Sequence, residues 1–201
     1  MLYDPDVMTV RHDPKRDDLG ETGGQNALRF DGAYRIDLDV DDVENLVTFS
    51  EPPLELAIKT KAGLDLHFIG AHLKSKAAHG ARNRDEVMRF SIANRRKQLA
   101  QAIWFRQRIT DHLDQGKPLI VLGDMNDGPG LDEYEHLFGR SSVDVLLGDK
   151  GMPKLIEPHA QIALSRRLAA TPTTSRFFVN HRKRFLQALL DYIMAHMASF
   201  G

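Results

Sequence analysis

The chain of 201 residues has no cysteine, which excludes disulfides, thiolate metal sites and a cysteine nucleophile. It also lacks a charge excess, with 27 Lys and Arg against 28 Asp and Glu for a net charge of -1. Nothing therefore marks it as a general polyanion binder, and any contact with nucleic acid has to come from a local patch. No apolar run approaches the ~18–20 residues that span a bilayer. The opening stretch MLYDPDVMTVRHDPKRDD has no apolar core of the kind a signal peptide needs. Internal repeats, low-complexity tracts and a domain linker are missing too. These absences predict one soluble, cytoplasmic domain over 1–201 with a substantial core, its first 26 residues irregular.

What is present is organised around KPLIVLGDMNDGPG, residues 117–130. Leu119 to Leu122 is a short continuous apolar run of the kind a strand buried on both faces shows. Gly123 is expected to end it, and Asp127-Gly128-Pro129-Gly130 to force a turn. Side chains two apart on an extended backbone point the same way. Asp124 and Asn126 are thus expected to face one site at the strand's carboxyl end, where open α/β sheets place their ligands. A carboxylate beside a carboxamide suits a Mg²⁺-assisted reaction on a phosphate.

Before this stretch, Ala27 to Leu38 reads as two short strands around Asp31-Gly32, followed by an acidic linker from Val40 to Asn45. Leu54 to Thr60 alternates, turns at Lys61-Ala62-Gly63 and returns as Leu64 to His72, an antiparallel hairpin. In the return strand Leu64, Leu66, Phe68, Gly70 and His72 share a face, which predicts that His72 ends a buried row. A basic loop over 73–84 leads to Asn83, a cap for a helix from Asp85 to about Leu113. Its apolar stripe is Ile92, Leu99, Ile103, Ile109 and Leu113, widened by Trp104 and Phe105, and Gln115-Gly116 stops it. After the Pro129 turn, Leu131 to Phe138 reads as helical turns, Ser142 to Leu147 as a weak strand, and 148–161 as loop. A long helix among hairpins and strands predicts an α/β or α+β domain built on mixed sheets.

Five blocks in order carry a resemblance: FSEPPLEL at 49–56, IGAHLKSK at 69–76, VLGDMND at 121–127, TTSRFF at 173–178 and LDYIM at 190–194. The chain resembles the endonuclease/exonuclease/phosphatase superfamily, which includes pancreatic-type deoxyribonuclease, base-excision endonucleases and sphingomyelinases. GDMN is a variant of that group's Gly-Asp-aromatic-Asn signature, with Met125 in the aromatic's place. The resemblance implies a four-layer sandwich, two mixed β-sheets face to face with helices outside, and phosphoester hydrolysis dependent on Mg²⁺ or Mn²⁺. Carried residue by residue, it implies that Asp124 binds the metal and positions the attacking water. It gives Asn126 the metal or a phosphate oxygen, and has His72 donate to the phosphate or its leaving oxygen. It matches Asp191 to the group's aspartate that orients a catalytic histidine, and places Lys74 and Ser75 at phosphate. The group's early glutamate in a Gln-Glu context and its Ser-Asp-His triplet have no counterpart in 1–201, and Glu51 stands where Arg or Lys is common. The resemblance therefore implies a domain short of its first and last strands, with activity impaired by the missing glutamate and histidine.

Each candidate also has a plainer reading. Asp124 and Asn126 are good turn formers, His72 is compatible with a core histidine, and Lys74 and Ser75 fit a solvated loop. The ten Lys and Arg within 74–108 fit a solvated helix face better than a nucleic-acid groove. Three functions follow: a metal-dependent nuclease or phosphatase, a catalytically silent remnant, and a binder of phosphate or nucleic acid without turnover. The partner expected for the hydrolase and the binder is a phosphoester, nucleic acid among the options; substrate choice within that class and oligomeric state are not written in these motifs.

Overall fold

The computed structural model describes residues 2–14, 29–38, 45–128, 139–164, 172–179 and 183–197. The strands are β1 (Met8–His12), β2 (Tyr34–Ile36), β3 (Asn45–Val47), β4 (Leu54–Thr60), β5 (Asp65–His72), β6 (Leu119–Asp124), β7 (Ser175–Val179), β8 (Arg184–Ala188) and β9 (Asp191–His196). The helices are α1 (Arg84–Asp114), α2 (Ser142–Leu147) and α3 (Pro158–Leu164). A five-stranded mixed sheet runs in the order β1-β4-β5-β6-β9, with β5 and β6 parallel and the other neighbours antiparallel. The remaining described strands form two ribbons, β2 with β3 and β7 with β8. The mixed α/β class is as the sequence reads.

The parallel pair β5 and β6 needs a crossover, and α1 supplies it. Asn83 caps α1 by accepting from Glu86 N–H at 2.9 Å. Gly116 stops the helix at φ 64, a left-handed conformation that glycine adopts without a Cβ penalty. Ile69, Ala71, Leu119, Val121 and Met194 of the sheet share one core with Leu99, Phe105, Ile109 and Leu113 of α1. Burying a side chain such as Phe105 stabilises by roughly 1.5–3 kcal/mol. Above α1 the core continues into Phe30, Tyr34, Phe49 and Trp104, where the Tyr34 and Trp104 rings stack at 5.3 Å.

Several expectations are corrected. The buried row of β5 is Ile69 and Ala71, because α1 lies on that side; Leu66, Phe68 and Gly70 are half-buried and His72 is exposed. Within the supposedly irregular 1–26, β1 pairs along β4 with Met8 opposite Thr60 and His12 opposite Leu56. Its alternation of Met8 and Val10 with Thr9 and Arg11 is short and lies between proline-rich flanks. The turn at Asp31-Gly32 exists, and among the described residues β2 pairs with β3; the start of the expected first strand, at 27–28, lies outside the described residues. Ser142–Leu147 is a helix: Ser141 caps it by accepting from Asp144 N–H at 3.1 Å, and Val143 and Leu146 reach the core. Part of the expected 148–161 loop forms the start of α3. The helical turns expected over 131–138 lie outside the described residues. Among the described residues, no helix is long and apolar enough to cross a membrane.

Candidate active site

Three strands end together at one edge of the sheet. His72 closes β5 opposite Asp124 of β6, and Asp124 lies opposite Asp191 of β9. Strand β6 thus runs through Gly123 instead of ending there. Gly123 sits at φ 137, and a Cβ on it would come within 1.9 Å of Ala71 O. Only glycine lets β6 pass β5 closely enough to leave Asp124 beside His72. His72 Nε2 is 3.9 Å from Asp124 Oδ2. On the other side, His72 Nδ1 meets Glu51 Oε2 at 3.2 Å. A carboxylate only accepts, so this contact places the ring proton on Nδ1 and turns Nε2 toward Asp124. Glu51, His72 and Asp124 side chains are 75%, 51% and 38% exposed, so the row opens to solvent where a substrate can reach it.

Asn126 joins this row by a different route from the expected strand alternation. Asp124 Oδ1 accepts from Asn126 N–H at 2.8 Å, a side-chain turn that folds the chain back. Asn126 stands at φ 51, and its Nδ2 donates to Leu73 O at 2.9 Å. The acid and the imidazole thus lie side by side on β6 and β5, and the turn after β6 brings the Asn126 amide to the residue that follows His72.

Under this turn lies Asp127, a turn former by sequence. Asp127 is fully buried and accepts from Lys76 Nζ at 2.8 Å, Ser142 N–H at 2.7 Å and Gly128 N–H at 2.9 Å. Arg95 of α1 adds an ion pair at 3.2 Å. Breaking a buried pair of this kind costs about 3–5 kcal/mol, because it strands a charge. The Tyr192 hydroxyl donates to the carbonyls of Asp127 and Leu189, each at 2.9 Å. Burial first, and the Asp127 charge second, push its ionisation upward, which keeps it a donor. Arg95 and Arg108 belong to the basic helix read as a solvated face, yet both are buried, Arg108 against Glu55. Their signal in the sequence is their position on the same stripe as Leu99, Phe105 and Ile109.

The other candidates lie around the row. Lys74 N–H donates to Gln101 Oε1 at 2.8 Å, which fixes its backbone, and Ser75 Oγ accepts from Ala77 N–H at 3.3 Å. Asp191 N–H and Leu190 N–H both donate to Thr174 Oγ1, and Ser175 Oγ donates to Asp191 Oδ2 at 3.4 Å. His196 is at the far end of β9, opposite Leu119, with Nδ1 on Lys154 O at 3.2 Å. It does not approach Asp191. Glu51 was legible only as a departure from the pattern, since its contact with His72 spans 21 residues.

Asp124 and Asn126 offer a carboxylate and an amide oxygen, hard donors of the type Mg²⁺ and Mn²⁺ take. Among the described residues, no group of three or more His, Asp or Glu surrounds one point. The set fits the water-rich Mg²⁺ mode with one or two carboxylates, and does not fit an all-protein cage.

Residues 13–196 match the model of the Endonuclease/Exonuclease/phosphatase family. Among solved structures, truncated Caenorhabditis elegans TDP2 is 13% identical with a TM-score of 0.38, over 74% of this chain and 48% of that one. SmcL is 16% identical with a TM-score of 0.38, over 72% and 43%. The human Nocturnin catalytic domain with bound sulfate anion is 23% identical with a TM-score of 0.32, over 74% and 43%. The chain spans less than half the length of these structures. No curated protein matches it.

Proposed function

The chain belongs to the endonuclease/exonuclease/phosphatase family, and from that premise we propose that it is a divalent-metal-dependent phosphoester hydrolase, a nuclease or phosphatase. Residues 1–201 act as one domain in this reading. The observation that carries it is the approach of His72 Nε2 to Asp124 Oδ2 at 3.9 Å, with Asn126 turned into the same row.

Asp124 and Asn126 would hold Mg²⁺ or Mn²⁺, which when bound supplies charge stabilisation to a phosphate and acidifies water. Asp124 orients the attacking water through its second oxygen. Glu51 holds Nδ1 of His72, so Nε2 is the ring atom left as an acceptor, which would take a proton from the attacking water and then pass it to the leaving oxygen. Lys74 and Ser75 border the phosphate position, and Asp191 adds negative charge on the β9 side.

One observation favours a second reading, a phosphate or nucleic-acid binder without turnover: among the described residues, the side-chain partner of Asp191 is Ser175 and not a histidine. Hydrolysis of bis-p-nitrophenyl phosphate in Mg²⁺, lost in Asp124→Ala, supports the hydrolase. Salt-sensitive oligonucleotide binding with no turnover in the wild type supports the binder.

A further inference from the structure

Helix α1 carries a ladder of buried polar side chains, Arg95, Gln98, Gln101 and Arg108, along its core-facing stripe. Residues three apart on a helix share a face, so Arg95, Gln98 and Gln101 look the same way. Gln101 Nε2 donates to Thr48 O at 2.9 Å while its Oε1 accepts from Lys74 N–H. Gln98 does more. Its Nε2 donates both to Met125 O at 3.1 Å and to Asn126 O at 2.9 Å, and its Oε1 accepts from Arg95 NH1.

Successive carbonyls of an extended strand point to opposite sides. Two consecutive carbonyls can reach one amide group only if the residue between their peptide planes leaves the β region. Asn126 is that residue, at φ 51, and Lys183 is the only other described non-glycine with positive φ. Such conformations persist where the surroundings over-determine them. Here the surroundings are Gln98 on the carbonyls, Asp124 on the Asn126 N–H and Leu73 O on the Asn126 side chain. Gln98 is fully buried, so water cannot replace it.

We propose that Gln98, buried at the centre of α1, is the positioning residue that holds Asn126 in its left-handed conformation and so sets the spacing of the Asp124 and Asn126 oxygens. Arg95 locks the orientation of the Gln98 amide, because a guanidinium only donates and therefore selects Oε1 for itself. This leaves both N–H groups of Nε2 for the two carbonyls. The inference rests on the hydrolase reading for its consequence in catalysis, and on geometry alone for its effect on the turn.

The test compares Gln98→Met, Gln98→Glu and Leu113→Ala, the last a core truncation at the far end of α1. Glu keeps an acceptor for Arg95 and loses both donors, so a role exerted only through Arg95 survives in Gln98→Glu and a positioning role does not. The Asn126 Cα and Cβ chemical shifts are read in each full-length variant, with Mn²⁺ affinity measured by calorimetry and turnover at saturating metal. Expected are Asn126 shifts leaving the left-handed range in both Gln98 variants and not in Leu113→Ala. Turnover should fall by about tenfold or more, in line with the cost of a misplaced catalytic group, with KM little changed. Unchanged Asn126 shifts in Gln98→Met, or wild-type shifts in Gln98→Glu, overturn the proposal. Moved shifts with a wild type that never turns over uphold the positioning of the turn and sink the hydrolase reading instead.

Discussion

Strand β5 carries a histidine near each end, and the two live in opposite worlds. His67 faces α1, its ring 4.7 Å from that of His112, with Lys117 nearby. His72, five residues on, faces the other way at the carboxyl edge, between Glu51 and Asp124. Burial lowers the ionisation of His67, and burial together with His67 and Lys117 lowers His112 to about 4. The Nδ1 of His112 is buried without a hydrogen-bond partner among the described residues. At one end of the strand, then, cations and desolvation keep imidazoles neutral and inert. At the other, carboxylates and solvent surround the imidazole. The residue type is the same; face and end decide the chemistry.

The contrast is sharpest in turnover. Asp124→Ala is expected to lower Mg²⁺-dependent phosphodiester hydrolysis at least ~100-fold, since it removes the charged ligand of the row. His72→Ala should cost more than ~10-fold, whereas His67→Leu on the same strand leaves kcat unchanged. Equal losses from the two histidine substitutions, read in one steady-state assay, would break the comparison.

Stability against pH reads the buried end of the strand. His112 titrates near 4 in the folded chain against 6.5 when unperturbed. Between those values the unfolded chain binds a proton that the folded chain refuses, so stability rises with pH. The contribution is complete above the unperturbed value and is lost as pH falls toward the folded one, by at most about 1.4 kcal/mol per unit. Urea unfolding from pH 7 to 4 should therefore be less pH-dependent in His112→Leu than in the wild type.

The smallest effect is expected from Glu51→Gln. An exposed contact of this kind is worth about 0–1 kcal/mol, so turnover should fall by up to ~5-fold with the Mg²⁺ requirement intact. A loss as large as that of His72→Ala would make Glu51 a ligand or base, not a partner of His72.

The legible parts of this fold are those whose period is long and clean. Leu54 to Thr60 alternates over seven residues, and α1 has an apolar stripe, a cap at Asn83 and a stop at Gly116, so each element stands where the sequence puts it. Strand β1 and helix α2 are short, and in SVDVLL the valines outweighed the Ser141 cap that fixes a helix. At the site, His72, Asp124 and Asn126 are legible because a local motif carries them. Glu51, Gln98 and Asp127 are not, because their partners lie far along the chain and a buried arginine or glutamine on a helix looks like a solvated one. The route of Asn126 into the row also escaped the strand rule, since a side-chain hydrogen bond bent the backbone two residues early.

The central claim is that metal binds at the His72, Asp124 and Asn126 end of β5 and nowhere near the His67 end. Titrating the ¹⁵N-labelled chain with substoichiometric Mn²⁺ tests it by locating paramagnetic broadening on individual amides. The account expects broadening confined to residues around 72–74, 124–127 and 191, lost in Asp124→Ala. Broadening centred on His67 and His112, or unchanged by Asp124→Ala, would contradict it.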